Sequence, residues 1–296
     1  MKKEIVEIQI ETTNRCHLRC LHCSSPSKIY KHNNYIFNIK NACSNSKKIF
    51  TLSFTGGEPL LNISSIGNTF NIKNIDYCAL FTSGILYYNK EFHSIDTNLA
   101  KYFLDLNFKY FYISLYSHKQ DIHDSITQKQ GSWEYTVNSI KSLKENNINV
   151  IIHYVPMKLN FSHIENDIHF FEYIGVDKIR ILPLVRTGRA LANFDKIALD
   201  ICDNELIKLK NINKNISISG NPNVEPCRIF NKKHTCGAGK EILFINIDGY
   251  IYPCASVKNK ISFRLGHISD ITSFDEIIDS HKPYKYCLSK IDFLEQ

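Results

Sequence analysis

Cys16-His17-Leu18-Arg19-Cys20-Leu21-His22-Cys23 sets three cysteines at the spacing C-x3-C-x2-C. The run directly follows residues 5–10, where Ile5, Val6, Ile8 and Ile10 are interrupted by Glu7 and Gln9 at alternate positions, a pattern that suits a first strand. Three thiolates this close together converge on a common ligand. Thiolates are soft, and in a chain without secretory context they select Zn²⁺ or an iron–sulfur centre over Mg²⁺ or Ca²⁺. A structural zinc site closes four ligands around the metal, so His17 or His22 would complete it. A cubane held by three cysteines instead keeps one iron open to a substrate or cofactor.

Working outward, the second strand ends in Thr55-Gly56-Gly57-Glu58-Pro59. Gly56 and Gly57 carry no side chains to keep the backbone away from a ligand, and Pro59 fixes the exit from the turn. Alone, this is an ordinary turn. Placed after the cysteine triad, at the end of the next strand, it resembles the radical S-adenosylmethionine (radical SAM) superfamily. The resemblance implies that Cys16, Cys20 and Cys23 bind a [4Fe–4S] cluster whose open iron is chelated by SAM, with Gly56, Gly57, Glu58 and Pro59 lining the methionine end. It further implies reductive cleavage of SAM to a 5′-deoxyadenosyl radical that abstracts a hydrogen atom. The hard chemistry then belongs to the cofactor, and the protein supplies orientation and exclusion.

Composition agrees. The chain has 296 residues, 43% of them hydrophobic, enough for one large core and a smaller module. No signal peptide and no run of about 18 apolar residues is present, which places the chain in a reducing cytoplasm. Ten cysteines there argue for metal centres over disulfides. The net charge of +7 is spread as lysine among Asn and Ile, so neither nucleic acid nor membrane is an expected partner.

Strand patterns at residues 5–10, 49–54, 77–81, 110–115, 150–154 and 179–182 alternate with helical ones. The helical stretches are a short or irregular one within 26–48, then 63–72, 96–106, one capped by Ser132, and one marked by Ile164, Ile168 and Phe171. Such alternation means parallel βα units and an α/β fold. Six units match the partial (β/α)6 TIM-like barrel of the radical SAM fold, and the resemblance covers roughly residues 4–190. Ligands gather at the carboxyl ends of such strands, where the triad, the Gly-Gly-Glu-Pro turn, Ser83 and Ser114 all fall. By similarity to the family, Ser83 and Ser114 contact the SAM methionine or ribose. His22 stands where the family usually has an aromatic residue whose backbone meets the adenine. Arg180, Arg186 and Arg189 cluster at the end of strand six, and a guanidinium there suits the SAM carboxylate or a substrate acid.

After a helical stretch near 203–211 and an Asn-rich segment, a second cysteine-bearing module begins. Asp248-Gly249 between residues 242–245 and 250–252 is a strong hairpin signal and brings Cys236 and Cys254 to one end. The pattern resembles the opening of SPASM and twitch modules. That resemblance implies an auxiliary [4Fe–4S] cluster ligated by Cys236, Cys254, Cys287 and, least securely, Cys227; a structural zinc on the same cysteines is the alternative. The expected division is a core barrel over 1–195 and an α+β auxiliary module over 196–296. Cys78 reads as buried core, Cys43 suggests little, and Cys202 is a candidate hydrogen-atom donor to a product radical.

Enzymes with such modules mostly modify ribosomally synthesised peptides or protein side chains by crosslinking, thioether formation, epimerisation or oxidation. That is the first expectation here. The alternatives are dehydrogenation of a small-molecule alcohol and a non-catalytic iron–sulfur or zinc protein. The first strand starts almost at Met1, so the expectation is a separate leader-peptide-binding protein, a short substrate or a small molecule, alongside a flavodoxin- or ferredoxin-type electron donor.

Overall fold

β1 (Ile5–Thr13) buries Val6, Ile8 and Ile10 on one face and turns Glu7, Gln9 and Glu11 to the other, as its alternating pattern requires. The computed structural model describes residues 5–25, 31–67, 72–199, 208–209, 214–218, 236–258, 260–284 and 288. The elements continue as α1 (Ile36–Ser44), β2 (Ile49–Gly56), a 3₁₀ turn at Pro59–Asn62, α2 (Ile63–Gly67) and β3 (Ile75–Thr82). Then come β4 (Ile85–Tyr88), β5 (Glu91–Ser94), α3 (Thr97–Asp105), β6 (Phe108–Ser114), α4 (Gln120–Thr127) and α5 (Ser132–Glu145). They are followed by β7 (Asn149–Tyr154), α6 (Ile164–Tyr173), β8 (Lys178–Ile181), α7 (Arg189–Ile197) and β9 (Ile216–Ile218). The last are β10 (Ile242–Ile245), β11 (Tyr250–Tyr252), β12 (Gly266–His267) and α8 (Asp275–Ser280).

Two compact units result. The first comprises Met1–Arg15, Ile29–Leu80 and Pro226–Gln296, and the second Cys16–Lys28 and Phe81–Glu225. In the first, the strand order is β12-β11-β10-β1-β2-β3. β1 pairs in parallel with β2 on one side and with β10 on the other, in a register running from Glu7 opposite Ile242 to Ile10 opposite Ile245. Glu11 fastens the join: its carboxylate accepts the Ile247 N–H at 3.0 Å and pairs with Lys258 Nζ at 2.9 Å. The Asp248-Gly249 turn forms as its sequence predicts, with Gly249 at φ +84° and the Asn246 side chain accepting the N–H groups of Asp248 and Tyr250. Cys236 and Cys254 meet in one buried cluster with Ala238, Ile242, Val257 and Leu288. Cys43 and Cys78 are both buried, and each thiol lies within the electrostatic reach of the other.

In the second unit, β6, β7, β8 and β9 run parallel in that order. β9 adds one parallel strand beyond the six expected. Phe111 packs edge-on against Phe103 of α3, and Tyr154 against Phe171 of α6, so these side chains define the helix-covered face. Tyr112, Ser114, His153, Arg180 and Ser217 therefore point to the opposite face. The register sets Ser114, His153, Arg180 and Ser217 abreast across four strands.

Besides β9, the β4–β5 hairpin, α4 and α7 were not expected. The cap of α5 also differs. Gly131, at φ +78°, precedes the helix and Ser132 is its first residue. The acceptor is Asp124, which takes the N–H groups of Gly131 and Trp133 and the Ser132 hydroxyl. Of the helix expected over 63–72, α2 covers Ile63–Gly67, and residues 68–71 lie outside the described residues. Of the stretch expected at 203–211, only residues 208–209 are described, and Cys202, Cys227 and Cys287 lie outside the described residues.

Candidate active site

In the first unit, the Gly-Gly-Glu-Pro turn lies against the backbone leaving β1. Gly57 donates its N–H to the Thr13 carbonyl at 2.6 Å, and Glu58 donates to the Arg15 carbonyl at 2.8 Å. A Cβ on Gly57 would stand 2.2 Å from the Arg15 carbonyl oxygen, and one on Gly56 2.2 Å from that of Thr13. The glycines are thus required by a close approach of two backbones, on the peptide that leads straight into Cys16. Glu58 is buried, and its carboxylate accepts the Leu60 N–H, capping the 3₁₀ turn that starts at Pro59.

In the second unit, the cysteine loop is held from two sides. Arg19 and Leu21 donate their N–H groups to the carbonyls of Thr127 and Ile126, at the end of α4. From the start of α7, Arg189 donates its backbone N–H to the Cys23 carbonyl at 2.9 Å and its Nε to the Cys20 carbonyl at 3.0 Å. Asn193 reaches the Leu21 carbonyl at 3.2 Å. Gly188, at φ +61°, packs so tightly on Cys23 and Ser24 that a Cβ would come within 2.6 Å of their backbone. Sequence reading singled out Arg189 only as part of a basic cluster. Its charge at the end of strand six was the available signal, and the unrecognised α7 and Gly188 complete the clamp.

The three cysteines are partly exposed as residues, and their thiols share an electrostatic environment. Burial pushes the Cys20 thiol well above its usual range, and the neighbouring Cys16 and Cys23 add to the effect. Among the described residues, no three His, Cys, Asp or Glu side chains converge as ligands of a single metal ion. A cubane attaches its protein ligands to separate irons, so its thiols need not meet at a point. Three soft donors on one clamped loop fit a cluster.

His22 sits edge-on to Tyr116 with ring centroids 4.6 Å apart, and burial together with the Arg189 charge lowers its pKa to about 4, so its ring is neutral near pH 7. Tyr116 in turn stacks on His123 and shares a hydrogen bond with Ser114. Ser83 offers its carbonyl to Thr136 of α5. Arg180 lies over the Tyr112 ring, and Arg186 stacks on Phe194.

The sequence profile described as the radical SAM superfamily matches residues 10–171. The chain belongs to the radical SAM superfamily. A second profile, SPASM, described as an iron–sulfur cluster-binding domain, matches residues 236–294. This radical SAM enzyme accordingly uses SAM with a [4Fe–4S] cluster, and its SPASM domain adds an auxiliary iron–sulfur cluster. Among relatives, the GTP 3′,8-cyclase of Clostridium perfringens (strain 13 / Type A) is 28% identical over 243 residues, spanning 74% of this chain and 71% of its own. Streptococcus suis SuiB bound to its precursor peptide SuiA superposes with a TM-score of 0.69 at 14% identity, over 94% of this chain and 65% of SuiB. For anSMEcpe with bound AdoMet and the Kp18Cys peptide, the TM-score is 0.67 at 16% identity, over 92% and 81%. These likenesses establish the shared partial-barrel fold of the radical SAM enzymes, with its sheet left open. Among the described residues no helix is long and apolar enough to cross a membrane.

Proposed function

We propose that this radical SAM enzyme modifies a ribosomally synthesised peptide or a protein side chain. The supporting observation is that the fold matches, over more than nine-tenths of this chain, two enzymes solved with peptides bound, SuiB with SuiA and anSMEcpe with Kp18Cys. Cys16, Cys20 and Cys23 hold the SAM-binding cluster, and Cys236, Cys254, Cys287 and Cys227 the auxiliary one. His22, Gly56, Gly57, Glu58, Pro59, Ser83 and Ser114 bind SAM. Residues 1–195 form the catalytic core and 196–296 the auxiliary module.

When bound, the cluster and SAM supply an electron and a hydrogen-abstracting agent. This chain's own contribution is positional. The ends of α4 and α7 fix the backbone of the thiol loop, and the glycine turn fixes the peptide entering it. His22 packs edge-on against Tyr116, which fixes the orientation of its ring within the loop. A second reading, chemistry on a small molecule, is favoured by the 28% identity to GTP 3′,8-cyclase.

The test is to supply the reduced, reconstituted enzyme with SAM and a precursor peptide encoded beside its own reading frame. Formation of 5′-deoxyadenosine together with a mass change in the peptide is expected. Peptide left unmodified while GTP or a small alcohol is consumed would replace this reading with the second.

A further inference from the structure

The face of β6–β8 opposite Phe111 and Tyr154 carries, among the described residues, a cation without a counter-ion. Arg180, the penultimate residue of β8, places its guanidinium carbon 5.0 Å from the centroid of the Tyr112 ring. Its Nε is buried and has no hydrogen-bond partner. Among the described residues no carboxylate pairs with it. Beside it, His153 also has a buried Nε2 without a partner. Burial and the Arg180 charge lower the His153 pKa to about 3, so this ring is neutral near pH 7. Phe81 stacks on Tyr112 with centroids 4.4 Å apart and leans against His153 at 5.4 Å, giving the recess an apolar wall. The polar row Ser114, His153, Arg180 and Ser217 is partly exposed along its length.

Leaving a partly buried guanidinium and an imidazole unpaired is unfavourable unless a ligand completes them. A side-on carboxylate pair uses Nε–H together with one terminal N–H, and Nε is the donor left open here. A neutral imidazole supplies one further hydrogen bond to the same group, depending on its tautomer. A triphosphate calls for several cations, whereas this row offers one.

We propose that Arg180 and His153 form the seat for a carboxylate of the substrate, an acidic side chain or a chain terminus, whose hydrocarbon part rests on Phe81 and Tyr112. This deepens the peptide-modifying reading and rests on it for the identity of the substrate, but the seat can be tested without one.

The probes are 3-phenylpropanoate, its neutral amide 3-phenylpropanamide and inorganic triphosphate. Each is titrated by ligand-observed NMR into the cluster-loaded, SAM-bound enzyme, into Arg180→Gln and Arg180→Lys, and into His153→Gln. The wild type is expected to prefer the carboxylate over the amide by about tenfold. Arg180→Gln should abolish the preference, Arg180→Lys should retain part of it, and His153→Gln should reduce it, all with unchanged iron content and SAM affinity. Equal binding of acid and amide by the wild type would overturn the proposal. So would triphosphate binding more tightly than the carboxylate, or a loss of SAM affinity in Arg180→Gln that leaves the acid-over-amide preference intact. If the seat binds carboxylate while no peptide is ever modified, the functional reading falls and the seat stands.

Discussion

Arg189 donates from Nε to the Cys20 carbonyl over 3.0 Å, while its backbone N–H reaches the Cys23 carbonyl at 2.9 Å. One residue thus spans the last two cysteines of the triad from outside their loop. Removing the guanidinium leaves the Cys20 carbonyl to find water, at a loss of about 1.5–3 kcal/mol for a charge-assisted hydrogen bond. Arg189→Ala should therefore lower the chelator concentration that strips half of the iron by roughly tenfold or more. Arg189→Lys, which keeps the charge but loses Nε, should fall between. Iron retention identical to wild type in both variants would show that the clamp does not hold the loop.

The turn half of the site makes a steric prediction. Gly57 has an ordinary backbone conformation, so what requires glycine is the Arg15 carbonyl 2.2 Å from where a Cβ would sit. Gly57→Ala must push the turn away from the exit of β1, at a cost of about 1–3 kcal/mol. The unfolding midpoint in urea should drop, and the loss of SAM affinity should exceed what the change in stability explains. An unchanged midpoint would mean that the two backbones part without penalty.

His123 gives a pH dependence. It is buried on α4, its Nδ1 accepts the Tyr116 N–H, and burial lowers its pKa from 6.5 to about 3. The unfolded chain binds the proton more tightly than the folded one. Its contribution is therefore complete above about pH 6.5 and is lost as pH falls toward 3, at about 1.4 kcal/mol per pH unit. His123→Asn keeps an acceptor for Tyr116 and removes the titration. Urea unfolding on either side of about pH 6 should show a shallower acid limb in the variant by roughly one proton's worth. Parallel limbs would contradict the assignment.

Much of this was legible locally. The triad, the Gly-Gly-Glu-Pro turn and the Asp248-Gly249 hairpin are written in adjacent residues, and each forms where the sequence puts it. What escaped was non-local. Nothing near Ile242 says that β10 will lie parallel to β1, since such pairing over a long separation leaves no local pattern. α4 is short and mixes Gln120, Asp121, His123 and Asp124 with few apolar residues, so its period is faint, yet its last carbonyls hold Arg19 and Leu21. Ser132 looked like a cap because caps are usually sequence neighbours, whereas Asp124 arrives from the preceding helix. His153 carried no motif at all; only strand register sets it beside Arg180.

The central claim is that Cys16, Cys20 and Cys23 carry a SAM-binding cluster distinct from a second one in the SPASM domain. Anaerobic iron and sulfide quantitation with EPR, on wild type and on the Cys16→Ala/Cys20→Ala/Cys23→Ala variant with SAM added to both, tests it most directly. About eight irons are expected in the wild type and about four in the variant, with a SAM-induced spectral change that only the wild type shows. Zinc in place of iron, or a SAM-dependent spectrum that survives loss of the three cysteines, would contradict it.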